Sequence, residues 1–133
     1  RRVYVLNLLS QQDKPDEARL GNALVDLLNE RNDSKIANYN FDFHSRLAGG
    51  NLGDITELLN TLRQDIMDAE KYRFFIYSRE SNKTYCQQGV VRANCLDCLD
   101  RTNFAQAHIS NLILNHILNS LRIAHLKREP HAP

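Results

Sequence analysis

The chain has 133 residues, of which 42% are hydrophobic, and its 17 basic and 16 acidic side chains leave a net charge of +1. That balance argues against a nucleic-acid-binding protein that works by bulk positive charge, and no apolar run approaches the ~20 residues of a membrane span. No signal peptide is visible, and the three cysteines suit a reducing compartment, so we expect a cytoplasmic protein without a transmembrane segment.

The first half of the chain predicts two strands separated by a helix. Residues 3–9 are an apolar run typical of a buried strand, and the polar break after it ends at Pro15, near a helix start. A helix is predicted next, because leucines recur on one helical face: Leu20, Leu24, Leu27 and Leu28. Apolar and polar residues then alternate over 37–43, as in a half-buried strand.

The second half predicts a helix, a pair of strands and a long final helix. A glycine-containing loop is followed by Asp54, a candidate helix N-cap, and by the apolar stripe Ile55, Leu58, Leu59, Leu62 and Ile66. Residues 72–77 and 84–91 are β-rich and flank a turn, and the second run leads to Cys95. A long helix is predicted to start near Thr102. We therefore predict an α/β fold: a mixed sheet flanked by helices, with a Cys-x5-Arg phosphate-binding loop between a strand and a helix.

The spacing from Cys95 to Arg101 carries the chemical prediction. If the backbone from residue 96 to 101 curls so that its N–H groups converge, it binds one anion, and the dipole of the following helix points at the same place. Such a field favours the thiolate form of Cys95 and holds the phosphate that the thiolate attacks. The planar guanidinium of Arg101 is suited to bind two phosphate oxygens and to follow them into the transition state.

The complete run at 92–103, Arg-x-Asn-Cys-x-Asp-Cys-Leu-Asp-Arg-Thr-Asn, resembles the catalytic motif of the Sac-domain phosphoinositide phosphatases. Three other segments are similar to the same family: Val-Leu-Asn-Leu-Leu at 5–9, Phe-Asp-Phe-His at 41–44 and Gln-Gln-Gly-Val-Val at 87–91. The pair Gly49-Gly50 is reminiscent of the synaptojanin branch. Since a Sac domain is longer and has an N-terminal β-rich subdomain without a counterpart here, we expect residues 1–126 to be its catalytic half and 127–133 a tail or linker.

The resemblance implies a phosphatase that removes monoester phosphates from phosphoinositide headgroups, peripherally at a cytosolic membrane surface and without a metal or other cofactor. It implies that Cys95 is the nucleophile, that Arg101 stabilises the phosphate oxygens, and that Asp97 or Asp100 protonates the leaving oxygen. Myotubularins have a similar loop with acids at both places, so the choice between the two aspartates stays open. The expected substrate-binding residues are Arg92, Asn94, Leu96, Asp97, Cys98, Leu99, Asp100, Arg101 and Thr102. The expected loop-supporting residues are Asp42, His44 and Asn103.

Several of these residues have a simpler interpretation. Cys95 and Cys98 form a Cys-x-x-Cys, which also occurs in zinc sites and redox pairs. Asp97 and Asp100 are also suited to accept backbone hydrogen bonds that hold a turn. Arg92 and Asn94 are equally suited to brace the loop. For the chain as a whole, the alternatives are a phosphatase of phosphoproteins or soluble inositol phosphates, or a non-catalytic phosphoinositide-binding module.

Overall fold

The computed structural model describes residues 1–12, 14–47, 53–68, 74–96 and 99–121. Strands and helices alternate along them. In chain order the elements are β1 (Arg2–Asn7), α1 (Pro15–Arg31), β2 (Ile36–Asn40), α2 (Phe43–Leu47), α3 (Gly53–Met67), β3 (Ile76–Ser78), β4 (Lys83–Tyr85), β5 (Gly89–Asn94) and α4 (Asp100–Ser120). Among these residues, no helix combines the length and the apolar composition that crossing a bilayer requires.

The central sheet has three parallel strands in the order β2-β1-β5. In the register of the sheet, Val5 of β1 lies between Asn38 of β2 and Arg92 of β5. The middle strand is buried from Tyr4 onward, as expected for a parallel strand covered on both faces. β3 and β4 form a separate antiparallel hairpin, in whose turn Asn82 has a φ of 50°. Asparagine is among the residues that tolerate this left-handed conformation.

One face of the sheet packs against α3 and α4. Alternate residues of β1 and the residue after it point to this side and are almost fully buried, together with the apolar stripes of the two helices: Tyr4, Leu6, Leu8, Leu58, Leu62, Ile66, Ala105 and Ile109. A hydrogen bond from the Tyr39 hydroxyl to the Asp65 carboxylate also joins β2 to α3. This layer fixes α4, and therefore its first turn, relative to the strand that precedes Cys95.

The opposite face of the sheet is covered by α1, which approaches β1 closely at Gly21. A Cβ built on Gly21 lies 3.2 Å from Nδ2 of Asn7, which is tighter than ordinary van der Waals contact. Glycine therefore permits a helix-to-strand distance that a larger residue opposes. Only part of the leucine face of α1 is covered, since Leu20 and Leu27 are both more than half exposed.

The predicted α/β class is confirmed, with parallel and antiparallel strands, and two local predictions are wrong. The strand expected over 37–43 ends at Asn40, because Phe43 begins α2. α3 begins at Gly53, which places Asp54 inside its first turn and not at its N-cap. The long helix expected to start near Thr102 is confirmed: α4 begins at Asp100, so Arg101 is a helical residue.

Candidate active site

The three parallel strands end side by side, each at an asparagine. Asn7 is in register with Asn40 on one side and with Asn94 on the other. The Asn7 amide donates a hydrogen bond of 3.2 Å to the Asn40 side chain, and the backbone N–H of Leu8 donates to the Asn94 carbonyl at 2.9 Å. Ligands of open α/β sheets bind beyond the carboxyl ends of the strands. Cys95 follows Asn94 directly and so stands at this edge.

A cavity of about 480 Å³ opens beside Cys95. One wall is formed by the leucines of α1, and the other by the last residues of β5 with Cys95 itself. The Cys95 side chain is half-buried, whereas the next residue, Leu96, is 63% exposed. Cys95 therefore lines an open groove, while its side chain packs against the core between the sheet and α3 and α4 and lies next to a more exposed segment of chain.

The first turn of α4 carries three of the predicted site residues. Asp100 is exposed, while Arg101 and Thr102 are buried. The hydroxyl oxygen of Thr102 is buried and has no hydrogen-bond partner among the residues the structure describes. The N-cap of the helix is Leu99, whose apolar side chain accepts no hydrogen bond from the first turn. An N-terminus of this kind is suited to bind an anion through its backbone N–H groups.

Arg101 forms an ion pair with Glu17, the third residue of α1. Nη1 of Arg101 lies 2.7 Å from Oε2 of Glu17 and Nη2 lies 3.4 Å from Oε1. Nη1 also donates to the Leu8 carbonyl at 3.4 Å. The hydrogen bond from Arg101 lowers the pKa of Glu17 from 4.5 to about 2, aided by the Ser10 N–H and Lys14 and opposed by burial. The pair therefore stays ionised at neutral pH.

Asp42 joins two segments at the same edge of the sheet. Its carboxylate accepts hydrogen bonds from the backbone N–H of Gln11 at 2.6 Å and from that of Ser45 at 3.1 Å, and it contacts the Ser10 hydroxyl at 3.5 Å. The bond from Ser45 is an N-cap interaction for α2, and the bond from Gln11 holds the segment after β1. Asp42 thus supports the β1–α1 segment, which in turn contacts Arg101 through Leu8.

The remaining predicted residues are placed as follows. Asp97 and Cys98 lie outside the described residues, so the conformation of the loop between Cys95 and Arg101 stays a prediction. The His44 side chain also lies outside the described part of the structure, although the His44 backbone is in α2. The predicted tail at 127–133 lies outside the described residues as well. Arg92 is exposed on β5, and Asn103 is exposed on α4, where its backbone N–H donates to the Leu99 carbonyl at 3.0 Å.

The zinc alternative finds no cluster in the part of the chain that the structure describes. Over these ranges, no group of three or more histidine, cysteine, aspartate or glutamate side chains is arranged to hold a metal ion. Cys86 is exposed in the segment between β4 and β5, and Cys95 lies at the far end of β5.

Glu17 is the residue that sequence analysis missed. An acidic residue in the first turn of a helix is ordinary, since it interacts favourably with the helix dipole, and Asp16 beside it is exposed. What distinguishes Glu17 is burial, which only the packing of α1 against β1 and α4 determines. The one available signal was a charged residue preceding Gly21 by one helical turn, on the face that approaches the sheet.

No family model matches the chain. Human synaptojanin-1 is 41% identical over 85 residues, which are 64% of this chain and 5% of that protein. Human phosphatidylinositide phosphatase SAC2 is 28% identical over 123 residues, 92% of this chain and 10% of that protein. A polyphosphatidylinositol phosphatase of Saccharomyces cerevisiae is 32% identical over 128 residues, 91% of this chain and 11% of that protein. The chain thus spans about a tenth or less of the length of such relatives.

Proposed function

Because this chain belongs to the Sac-domain phosphoinositide phosphatase family, we propose that it carries the catalytic centre of an enzyme that hydrolyses phosphate monoesters of inositol lipid headgroups. The substrate class follows from the relatives, two of which are named as phosphatases of phosphatidylinositides or polyphosphatidylinositols. Peripheral binding at a membrane surface is part of the same proposal, since the headgroup is presented there.

One observation supports the proposal most directly. Cys95 leaves the carboxyl end of a parallel strand and Arg101 lies in the first turn of the next helix, so both are at the edge where such sheets bind ligands. This strand, loop and helix order is the one that a Cys-x5-Arg phosphate site needs. Cys95 also lines an open groove at this edge.

In the proposed reaction Cys95 acts as the nucleophile. Its Sγ attacks phosphorus, so that an S–P bond forms while the P–O bond to the inositol ring breaks. Asp97 or Asp100 gives a proton to the leaving oxygen, which otherwise departs as a poorly stabilised alkoxide. The resulting carboxylate then takes a proton from water, whose oxygen attacks phosphorus and breaks the S–P bond, releasing inorganic phosphate and restoring the thiolate.

Charge stabilisation in this reaction falls to Arg101 and the start of α4. The guanidinium and the backbone N–H groups of the loop hold the equatorial phosphate oxygens, where negative charge is concentrated in the transition state. The buried hydroxyl of Thr102 is a further donor next to Arg101. The proposed substrate-binding set is completed by Leu96 to Leu99, Arg92 and Asn94. The residues proposed to support the loop are Asp42, His44 and Asn103.

The test is release of free phosphate by the intact protein from vesicles that each contain one phosphoinositide, compared with a Cys95→Ser variant. We expect the wild type to release phosphate and the variant to bind the same vesicles without turnover, since the phosphate site persists and the thiolate does not. Turnover by Cys95→Ser above a trace would contradict the nucleophile assignment. The variant's serine is nearly isosteric with cysteine, so loss of fold is a poor explanation for loss of activity.

Three further arms separate the alternatives. A phosphopeptide and a soluble inositol phosphate replace the vesicles, and faster hydrolysis of either would favour that substrate class. A chelator is added to the vesicle assay, where we expect activity to persist, whereas a zinc site at Cys95 and Cys98 predicts its loss. Binding of every phosphoinositide without hydrolysis under reducing conditions would reject the enzyme and favour a binding module.

A further inference from the structure

The buried pair of Glu17 and Arg101 connects α1 to the start of α4 across the carboxyl edge of the sheet. Glu17 is 2% exposed and Arg101 is 7% exposed, so both charges are removed from water. Two nitrogens of the guanidinium face two oxygens of the carboxylate, at 2.7 Å and 3.4 Å. A planar cation held at two points by a planar anion has its orientation fixed as well as its position.

The Glu17 carboxylate is itself held in place. The backbone N–H of Ser10 donates to Oε2 at 2.9 Å, and Nζ of Lys14 lies 3.3 Å from Oε1. The Leu8 carbonyl contributes a further acceptor for Arg101 from the same β1–α1 segment. These partners of Arg101 therefore belong to the β1–α1 segment and the start of α1.

Stability alone is a weak reason for this pair. Compared with well-packed apolar residues of similar volume, a buried ion pair returns little net stability, because both charges must be removed from water. Arg101, however, lies six residues after Cys95, the proposed nucleophile, and is itself the residue proposed to stabilise the transition state. For that task the guanidinium must be in place before the reaction begins, because stabilisation by preorganised donors avoids reorganisation during it.

We infer that Glu17 is a positioning residue, which orients the Arg101 guanidinium for phosphoryl transfer through the buried two-point contact between their side chains. The inference rests on the proposed function. It assigns no contact between Glu17 and the substrate. Its consequence is that loss of Glu17 lowers the rate of the chemical step more than it weakens substrate binding, because the arginine keeps its charge but loses its orientation.

The test compares Glu17→Gln, which removes the charge at nearly constant shape, with Glu17→Asp, which keeps the charge on a shorter side chain. Glu30→Gln is the matched control, since Glu30 is exposed on the same helix. For each intact protein, kcat and KM are measured on phosphoinositide vesicles, with thermal unfolding as the measure of folding. We expect Glu17→Gln to lower kcat about ten- to a hundred-fold with KM changed less than about three-fold, as for a misplaced catalytic group. Glu17→Asp should recover part of the loss, and Glu30→Gln should match the wild type.

A cycle with Arg101→Lys tests whether Glu17 acts through the arginine. If it does, Glu17→Gln costs much less in the Arg101→Lys background than in the wild type. The inference would be overturned if the kcat losses of Glu17→Gln and Arg101→Lys simply multiply in the double variant. It would also be overturned if folded Glu17→Gln or folded Glu17→Asp has the wild-type kcat. Should Glu17→Gln fail to fold, Glu17→Asp decides by the same criterion. If the wild type is inactive, the proposed function and this inference fail together. If the wild type is active and Cys95→Ser is inactive, a negative result for the Glu17 variants counts against this inference alone.

Discussion

The Asp42 carboxylate and the backbone N–H of Gln11 are joined by a hydrogen bond of 2.6 Å across the carboxyl edge of the sheet. The same carboxylate accepts a hydrogen bond from the N–H of Ser45, so one buried side chain fixes both the segment after β1 and the start of α2. The β1–α1 segment also carries Ser10, whose N–H holds Glu17. Asp42 is therefore linked to Arg101 by a continuous series of contacts.

Replacing Asp42 by alanine is expected to destabilise the protein by about 1–3 kcal/mol, because the partly buried hydrogen bonds from the Gln11 and Ser45 N–H groups lose their acceptor. Urea unfolding of the intact protein measures the loss. Asp33→Ala is the matched control: Asp33 accepts a hydrogen bond of 2.9 Å from the Lys35 N–H in an exposed turn, where water replaces the acceptor. Equal losses for the two variants would contradict the importance of burial at Asp42.

Arg101→Lys should reduce the rate more than it reduces affinity. Lysine keeps the charge but presents no planar pair of donors, and the loss of one transition-state donor costs on the order of 3 kcal/mol, or about two decades in kcat. Steady-state kinetics on phosphoinositide vesicles provide kcat and KM separately. A near-normal kcat would mean that Arg101 serves only to hold the loop.

The general acid is identified by leaving-group chemistry. If Asp97 is the acid, Asp97→Asn slows hydrolysis of a phosphoinositide, whose alkoxide leaves poorly, but spares an activated aryl phosphate that leaves without a proton. Asp100→Asn then affects both substrates alike. The reverse pattern assigns the role to Asp100, and equal losses on both substrates for both variants would indicate that the two aspartates are structural.

The Glu17–Arg101 pair should make stability depend on pH in acid. The pKa of Glu17 is lowered from 4.5 to about 2, so the unfolded chain takes up a proton on this group first as the pH falls. The contribution, on the order of 3 kcal/mol, is complete above about pH 5 and is lost progressively towards pH 2. Unfolding free energies of the wild type and Glu17→Gln, measured from pH 7 to pH 3, should therefore converge as the pH falls. A difference that stays constant over this interval would contradict the assignment.

Mild oxidation is expected to inhibit the proposed phosphatase activity reversibly. If Cys95 is the nucleophile, peroxide oxidises its sulfur to a sulfenic acid, which condenses with a thiol to form a disulfide and releases water. Cys98 is the nearest cysteine in sequence, so a thiol reductant should restore the wild type more completely than a Cys98→Ala variant after the same exposure. Equal recovery of both proteins would exclude Cys98 as the partner of Cys95.

The sequence was sufficient for the elements that position Cys95, because they depend on local patterns. The apolar run before residue 95 and the periodicity after residue 102 are properties of consecutive residues, and β5 and α4 confirm them. Phe43 was misplaced because it continues the alternation of β2, while the capping hydrogen bond from Ser45 to Asp42 favours a helix there. The partner of Arg101 was beyond prediction, since Glu17 precedes it by 84 residues and only tertiary packing brings them together.

The order of strands in the sheet has a consequence for synthesis and folding. β1 is the central strand of the parallel sheet and precedes both of its neighbours in sequence, and its pairing with β5 joins Asn7 to Asn94. As the chain emerges from the ribosome, the edge of β1 that pairs with β5 stays without this partner until the residues through Asn94 have been made. Contacts so distant along the chain form slowly, and an unpaired apolar strand invites association with other chains. The strand that precedes the proposed nucleophile is thus also the one that completes the sheet, so the same pairing positions Cys95 and protects β1 from aggregation.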